Sequence, residues 1–182
     1  QLCAHFAGAG TLRRLPTTRP LPSAPPIARS TCRRFLFLGQ LRPEKGFEDA
    51  LNALEHCPAD CTLDLYGPAL PTTDAARLRS HPRAKWHGEL AHDQVPRVLA
   101  EHDALLFPSH YEGEGLPGAI VEALQAGLPV IATSWRALPE LVHDRRNGLL
   151  VPVADVPALA AAMTLLHDDT RLFRELCAGA LL

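Results

Sequence analysis

From residue 34 onward, short apolar runs alternate with segments in which apolar residues recur every three or four positions. The run at 35–39 is typical of a buried strand, and the apolar positions between Phe47 and Leu54 predict a helix over 46–55 with one buried face. The same reasoning predicts strands over 62–67, 84–88, 103–107, 129–133 and 148–151, helices over 73–80, 93–101 and 116–126, a further element over 138–142, and two helices at the carboxyl end.

This alternation of strands and helices predicts the α/β fold class, with a Rossmann-like, doubly wound parallel sheet and helices on both of its faces. In such sheets, ligands bind beyond the carboxyl ends of the strands. We therefore look for chemistry in the loops that follow residues 38, 65, 107 and 132.

The beginning of the chain differs in composition from the rest. Five prolines lie between residues 16 and 26, and proline fixes φ and removes a backbone donor, so an extended segment is expected there. Six arginines lie within residues 1–34, whereas the first carboxylate is Glu44. We predict a proline- and arginine-rich linker, or the remnant of a preceding domain, over 1–33 and a folded domain over 34–182. The arginines are candidates for contact with a membrane surface in the parent protein.

The overall composition is that of an ordinary globular protein. The 182 residues are 47% hydrophobic and 21% charged with a formal net charge of -2, so the chain can bury a core but lacks the basic excess that nucleic-acid binding requires. No apolar run is long enough to cross a bilayer. The five cysteines are an odd number, which favours reduced thiols. We expect a cytoplasmic protein, with any membrane contact peripheral at the inner surface.

Histidines beside cysteines or aspartates are the candidates for metal binding or proton transfer. His56, Cys57 and Cys61 are close in sequence, but a structural zinc site normally needs a second ligand pair, and none with ligand spacing follows. No bound metal is therefore expected. The four His-Asp sequences, at 92–93, 102–103, 143–144 and 167–168, are interpreted mostly as surface pairs at helix boundaries rather than as catalytic dyads.

The loop after the first strand combines two glycines with two cations. It runs from Gly39 to Gly46, carries Arg42 and Lys45, and precedes the amino end of a predicted helix. Unpaired N–H groups at a helix start attract anions, and a lysine adds a full positive charge. A phosphate-binding loop and a solvated turn fit this segment equally well.

The loop after residue 107 contains three glycines, Gly113, Gly115 and Gly118, that match the dinucleotide fingerprint G-x-G-x-x-G. That fingerprint also requires an acidic residue at the end of the next strand to hold a ribose. The next strand ends at Thr133 without a carboxylate, which argues against a nicotinamide-dependent enzyme.

Two carboxylates belong to this same segment. Glu114 is predicted in the loop, and Glu122 about two turns inside the helix predicted over 116–126, roughly 9 Å along its axis from residue 116. Carboxylates staggered in this way can bind hydroxyls along an extended ligand. They are poorly placed to flank one glycosidic bond, as a two-carboxylate hydrolase requires.

Taken in order, these motifs resemble the carboxyl-terminal domain of family 4 retaining glycosyltransferases of the GT-B fold, the glycosyl transferases group 1. Each motif is weak alone, but their order and spacing over residues 35 to about 170 are specific. The matching motifs are Gly39-x-Leu-x-x-Glu-Lys-Gly46, Pro108-Ser109, Glu114 with seven residues before Glu122, Gly127-x-Pro-Val130, Pro139-Glu140 and Asn147-Gly148.

The resemblance implies roles for particular residues. Lys45 is expected to contact the donor diphosphate, Glu114 to face the donor sugar and Glu122 to bind the ribose, so Lys45 and Glu114 are the candidate catalytic residues. The family usually has arginine after the first glycine of the lysine loop, where this chain has Gln40, and Arg42 is the candidate replacement. The other implied donor-binding residues are Gly39, Gly115, Leu116, Pro117 and Gly118, with a backbone amide of Ala119 at the helix start.

The resemblance also implies an activity, the retaining transfer of a hexosyl group from a nucleotide-diphosphate sugar to a glycan, lipid or small-molecule acceptor, as in polysaccharide biosynthesis. This chain would supply the donor-binding half and would lack an amino-terminal, acceptor-binding domain. No cofactor and no obligatory metal are expected, in keeping with the absence of an Asp-x-Asp sequence. Two alternatives stay open, namely a nucleotide-sugar-binding module without transfer and a sugar-nucleotide epimerase of the same architecture.

Overall fold

The computed structural model describes residues 28–71, 73 and 75–181. Within these residues, six parallel strands form one sheet in the order β3-β2-β1-β4-β5-β6. This is the strand order of a doubly wound Rossmann sheet, so the predicted fold class is confirmed. The strands are β1 (Arg34–Leu38), β2 (Thr62–Tyr66), β3 (Ala84–Trp86), β4 (Ala104–Phe107), β5 (Val130–Thr133) and β6 (Gly148–Val151).

Helices cover both faces of the sheet. Alternate side chains of each strand point to opposite faces, so one strand can contribute to two apolar clusters. Phe35 and Phe37 of β1 join one apolar cluster with α1, α5 and α6, whereas Leu36 joins a second cluster with α3 and α4. The helices are α1 (Phe47–Glu55), α2 (Ala75–Ser80), α3 (Val95–Ala100), α4 (Gly118–Gln125), α5 (Val156–Asp168) and α6 (Thr170–Ala180), with short 3-10 helices at Pro43–Lys45, His92–Gln94 and Leu138–Glu140. None of the helices in the described part of the chain is long and apolar enough to span a bilayer.

The start of α4 differs from the prediction. The helix begins at Gly118 rather than at residue 116, and Pro117 before it is extended, with φ -71° and ψ 128°. A residue that precedes proline disfavours the helical conformation, which keeps Leu116 outside the helix. Glu122 therefore lies about one turn from the first helical residue, roughly 6 Å at 1.5 Å per residue, and the expectation of two turns was wrong.

Residues 28–33 pack against the domain. Cys32 is completely buried, and the Arg29 guanidinium donates to the carbonyl oxygens of Leu99 at 3.0 Å, His102 at 2.7 Å and Ala126 at 3.1 Å. Carbonyls at helix ends lack intrahelical partners, so Arg29 stabilises the carboxyl ends of α3 and α4 together. The rest of the predicted linker, residues 1–27 with the arginines at 13, 14 and 19, lies outside the described residues.

Candidate functional site

The two loops that the sequence singles out meet at the centre of the sheet. β1 pairs with β4 through Phe35 with Ala104 and Leu36 with Leu105, while the chain runs outward from β1 to β2 and from β4 to β5. Between β1 and β4 the strand order therefore reverses. The loops 39–46 and 108–117 leave the carboxyl ends of these strands side by side, at the crevice where ligands of doubly wound sheets bind.

Gly46 allows the two loops to touch. Its φ is 75°, in the left-handed region, and a Cβ atom there would lie 2.2 Å from the carbonyl oxygen of Pro108. The N–H of His110 in the second loop donates to the carbonyl of Glu44 in the first at 2.8 Å. Backbone contact at this spacing fixes the position of the side chains that both loops carry.

Lys45 and Glu114 form an ion pair across the loops. Lys45 Nζ lies 2.7 Å from Glu114 Oε2, and the two side chains are 18% and 7% exposed. The hydroxyl of Ser109 donates to the same carboxylate oxygen, and the hydroxyl of Thr133 donates to the carbonyl of Ser109. The two candidate catalytic residues are thus held together, and the Pro108-Ser109 motif supplies the hydrogen bond that orients the carboxylate.

Tyr111 is a site residue that sequence reasoning missed. Lys45 Nζ lies 4.7 Å from the centre of its ring and Arg42 Cζ 5.0 Å, so two cations contact one aromatic ring. The indole N–H of Trp135 donates to the carbonyl of Tyr111 at 3.0 Å. The available signal was an aromatic residue between the Pro108-Ser109 motif and Glu114. Arg42 and Lys45 thus contact the same ring, which spacing along the chain did not predict.

The start of α4 lacks a side-chain cap. Its first turn carries no acidic residue, and the N-cap Pro117 provides no side-chain cap. Gly115 is exposed, and no atom lies within 4 Å of the position that a Cβ atom would take there. Leu116 and Gly118 are half-buried. An uncapped helix start beside an open glycine is suited to an anion.

The remaining predicted residues differ in burial and in their contacts. Glu122 is half-buried on α4. The N–H of Gly39 donates to the carbonyl of Tyr66 at 3.0 Å, so this glycine continues the pairing of β1 with β2. Gln40 is exposed. Nδ1 of His110 is buried and has no hydrogen-bond partner among the described residues.

One His-Asp sequence behaves differently from the predicted surface pairs. His102 is 1% exposed, and its Nε2 contacts Asp64 Oδ2 at 2.9 Å rather than its neighbour Asp103. Asp103 instead accepts the backbone N–H groups of Arg33 and Arg34. Burial acts to raise the pKa of Asp64, but hydrogen bonds from His87 and His102 outweigh it and leave this pKa below its usual value.

The sequence of residues 32–169 matches the family model described as Glycosyl transferases group 1. The glycogen synthase of Mycobacterium tuberculosis is 34% identical over 141 residues, which cover 74% of this chain and 34% of the relative. The alpha-D-kanosaminyltransferase of Streptomyces kanamyceticus is 28% identical over 154 residues, which cover 80% of this chain and 39% of the relative. The chain therefore spans little more than a third of these curated relatives.

Solved structures share the fold. The Anabaena protein HepE in complex with UDP is similar with a TM-score of 0.74 and 27% identity, over 83% of this chain and 43% of HepE. The carboxyl-terminal domain of the glycosyl transferase group 1 family protein LpcC from Francisella tularensis is similar with a TM-score of 0.72 and 23% identity, over 82% of both chains. The described residues thus have the fold of a carboxyl-terminal GT-B domain.

Proposed function

Since the chain belongs to the glycosyl transferases group 1 family, we propose that it is the donor-binding half of a retaining glycosyltransferase. The observation that carries the proposal is the position of Lys45, which is held 2.7 Å from Glu114 at the reversal of strand order and contacts the ring of Tyr111, as Arg42 does. Two cations at the edge of a sheet crevice suit a ligand with a diphosphate. The complex of the related HepE with UDP supports the same ligand class.

Lys45 would stabilise the charge that develops on the leaving diphosphate. In retaining transfer without a protein nucleophile, the bond between the anomeric carbon and the phosphate oxygen breaks while the acceptor oxygen attacks the same face. The acceptor hydroxyl gives its proton to the departing phosphate. At an effective dielectric constant of about 20, one cation about 4 Å from the phosphate contributes roughly 4 kcal/mol before desolvation. Groups aimed at developing charge are often the largest single contribution to catalysis.

The ion pair with Glu114 prepares Lys45 for this role. An ammonium group has three N–H donors, so Lys45 can keep its hydrogen bond to Glu114 and donate to a phosphate oxygen at the same time. Glu114 then fixes the Lys45 side chain, which otherwise has many rotamers. The second carboxylate oxygen of Glu114 can accept a hydrogen bond from a hydroxyl of the donor sugar. The backbone N–H groups of Leu116, Gly118 and Ala119 would bind further phosphate oxygens, and Glu122 would bind the ribose.

A thermal-shift screen of UDP-, GDP- and ADP-sugars tests donor binding. A ligand at about 100 times its dissociation constant adds roughly 2.7 kcal/mol of stability. We expect one base class to stabilise the chain and the Lys45→Ala variant to lose most of that shift. Lys85→Ala, at an exposed position of β3, is the matched control. Stabilisation by none of the sugar nucleotides, or equal stabilisation of Lys45→Ala, would refute the proposal.

A nucleotide-sugar-binding module without transfer is the second candidate, favoured by Gln40 where the family usually has arginine. We propose transfer over binding alone because Arg42 lies 5.0 Å from the ring of Tyr111, on which Lys45 also rests. Product analysis with donor and acceptor in a longer form of the protein that includes an acceptor-binding domain separates the candidates. A transferase gives glycosylated acceptor, an epimerase gives an isomeric nucleotide sugar, and a binding module gives neither.

A further inference from the structure

A cluster of possible metal ligands lies at the amino end of β2, whereas the candidate site lies at the carboxyl ends of β1 and β4. Asp60 and Cys61 directly precede β2, and His167 lies in the last turn of α5. A carboxylate oxygen of Asp60, Sγ of Cys61 and a ring nitrogen of His167 lie within 4.8 Å of one another. The amino end of β2 and the carboxyl end of α5 thus bring together three different donor types.

His167 is placed between two hydrogen-bond acceptors. Its Nδ1 lies 2.6 Å from Asp168 Oδ1, and its Nε2 lies 3.0 Å from Asp60 Oδ1. A neutral imidazole carries one N–H and can donate to only one of these carboxylates. A cation at Nε2 removes the conflict, because Nδ1–H then donates to Asp168 while the Nε2 lone pair and the Asp60 oxygen face the same metal. Carboxylate, histidine and metal in this order form the usual outer-shell arrangement of protein zinc sites.

The third ligand determines which metal fits. Cys61 is fully buried. A metal binds the thiolate form of cysteine, so a metal that binds here must displace the thiol proton. Sulfur and imidazole ligands favour a borderline-soft ion such as Zn²⁺ over Mg²⁺ or Ca²⁺, which prefer all-oxygen sites.

We propose that Asp60, Cys61 and His167 bind one Zn²⁺ ion, with water as the fourth ligand, and that this site joins the start of β2 to the end of α5. Tetrahedral zinc places its ligand atoms about 3.5 Å apart, so the cluster must contract by about 1 Å. Asp60 is 47% exposed and can rotate to close the site. Arg33 Nε lies 3.1 Å from Asp60 Oδ2, the oxygen that does not contact His167, and can keep that contact.

Zinc titration of the purified chain, prepared without a polyhistidine tag, tests the proposal by calorimetry. We expect one Zn²⁺ per chain and the release of about one proton, obtained from the dependence of the heat on buffer ionisation. Replacement of Zn²⁺ by Co²⁺ should give a thiolate-to-metal charge-transfer band. His167→Gln and Cys61→Ser should each weaken binding on the order of 100-fold or more, and Asp168→Asn about 10- to 100-fold.

His56→Gln is the matched control, because His56 is exposed and stands beside Cys57 in sequence. It should leave zinc affinity unchanged, and all zinc-site variants should leave binding of a sugar nucleotide unchanged. If Cys61→Ser fails to fold, as judged by circular dichroism, His167→Gln on the partly exposed side of the site decides the question. Absence of stoichiometric binding, or binding that His167→Gln does not weaken, would overturn the proposal.

Discussion

Lys45 Nζ lies 2.7 Å from Glu114 Oε2, although 69 positions separate the two residues in the chain. The contact exists because β1 and β4 are neighbours at the point where the strand order reverses, and because Gly46 lets the first loop approach the backbone of Pro108. A cation and a carboxylate that are both mostly buried hold each other in place. The candidate site is therefore ordered before any ligand arrives.

The first prediction concerns Lys45→Ala. In a form of the protein able to transfer sugar, we expect turnover to fall about 100- to 1,000-fold, because a charge-stabilising donor at the leaving group is lost. The variant also leaves the 7% exposed carboxylate of Glu114 without its cation, which should lower the free energy of unfolding by about 1–3 kcal/mol. Turnover assays and urea denaturation measure the two effects. Lys85→Ala should change neither, and near-normal turnover of Lys45→Ala would remove Lys45 from the mechanism.

Glu114→Gln separates binding from transfer. Glutamine can still accept the hydrogen bond from Ser109, but it no longer holds Lys45 by charge. We expect affinity for the free nucleoside diphosphate to stay within about threefold, since Lys45 keeps its charge, while turnover falls at least about tenfold because Lys45 is no longer held in position. Calorimetry and steady-state kinetics give the two quantities. Glu112→Gln, at an exposed position two residues away, serves as the control, and equal losses in both variants would contradict a specific role.

Gly46→Ala tests the contact between the loops. A Cβ atom at this position meets the carbonyl oxygen of Pro108 at 2.2 Å, and the φ of 75° is unfavourable for alanine. We expect a loss of about 2–4 kcal/mol in the free energy of unfolding, measured by denaturation. Gly115→Ala has open space around its Cβ atom and should change stability by less than about 0.5 kcal/mol. Similar stability of the two variants would show that the loops are less closely packed than described.

Asp64→Asn tests the contacts of Asp64 with His87 and with the buried His102. The folded state lowers the pKa of Asp64, so its carboxylate stabilises the fold above the unfolded pKa of about 3.9, and this stabilisation is lost as the pH falls through the lower folded-state value. At pH 7 we expect the variant to be less stable by about 1–3 kcal/mol. The difference from the unmodified chain should shrink below about pH 3.9. Denaturation at pH 7, 5 and 3 measures this difference in the free energy of unfolding. Asp93→Asn, at an exposed position, is the control. A difference that is larger at pH 3 than at pH 7 would contradict a lowered pKa of Asp64.

Much of the fold followed from the sequence because its signals are local. Apolar runs and helical spacing predicted the strands, the main helices and the doubly wound class, and the glycine-bracketed lysine loop pointed to an anion site. Local reasoning failed where a single backbone preference moved a boundary, as at Pro117, which starts α4 two residues later than predicted. It also failed for His102, since burial of a side chain depends on what packs over it.

The amino-acid sequence by itself determined which loops carry the candidate chemistry, since strand ends and glycine positions can be identified from neighbouring residues in the chain. Only the tertiary structure decided which side chains meet. The contacts of Tyr111 with Arg42 and Lys45, and those of His167 with Asp60 and Cys61, depend on strand order and helix docking that no spacing along the chain encodes. Contacts between distant residues arise from the burial of a shared core, and this is why Cys61, for which local spacing offered no partner ligands, lies close to His167, 106 positions away.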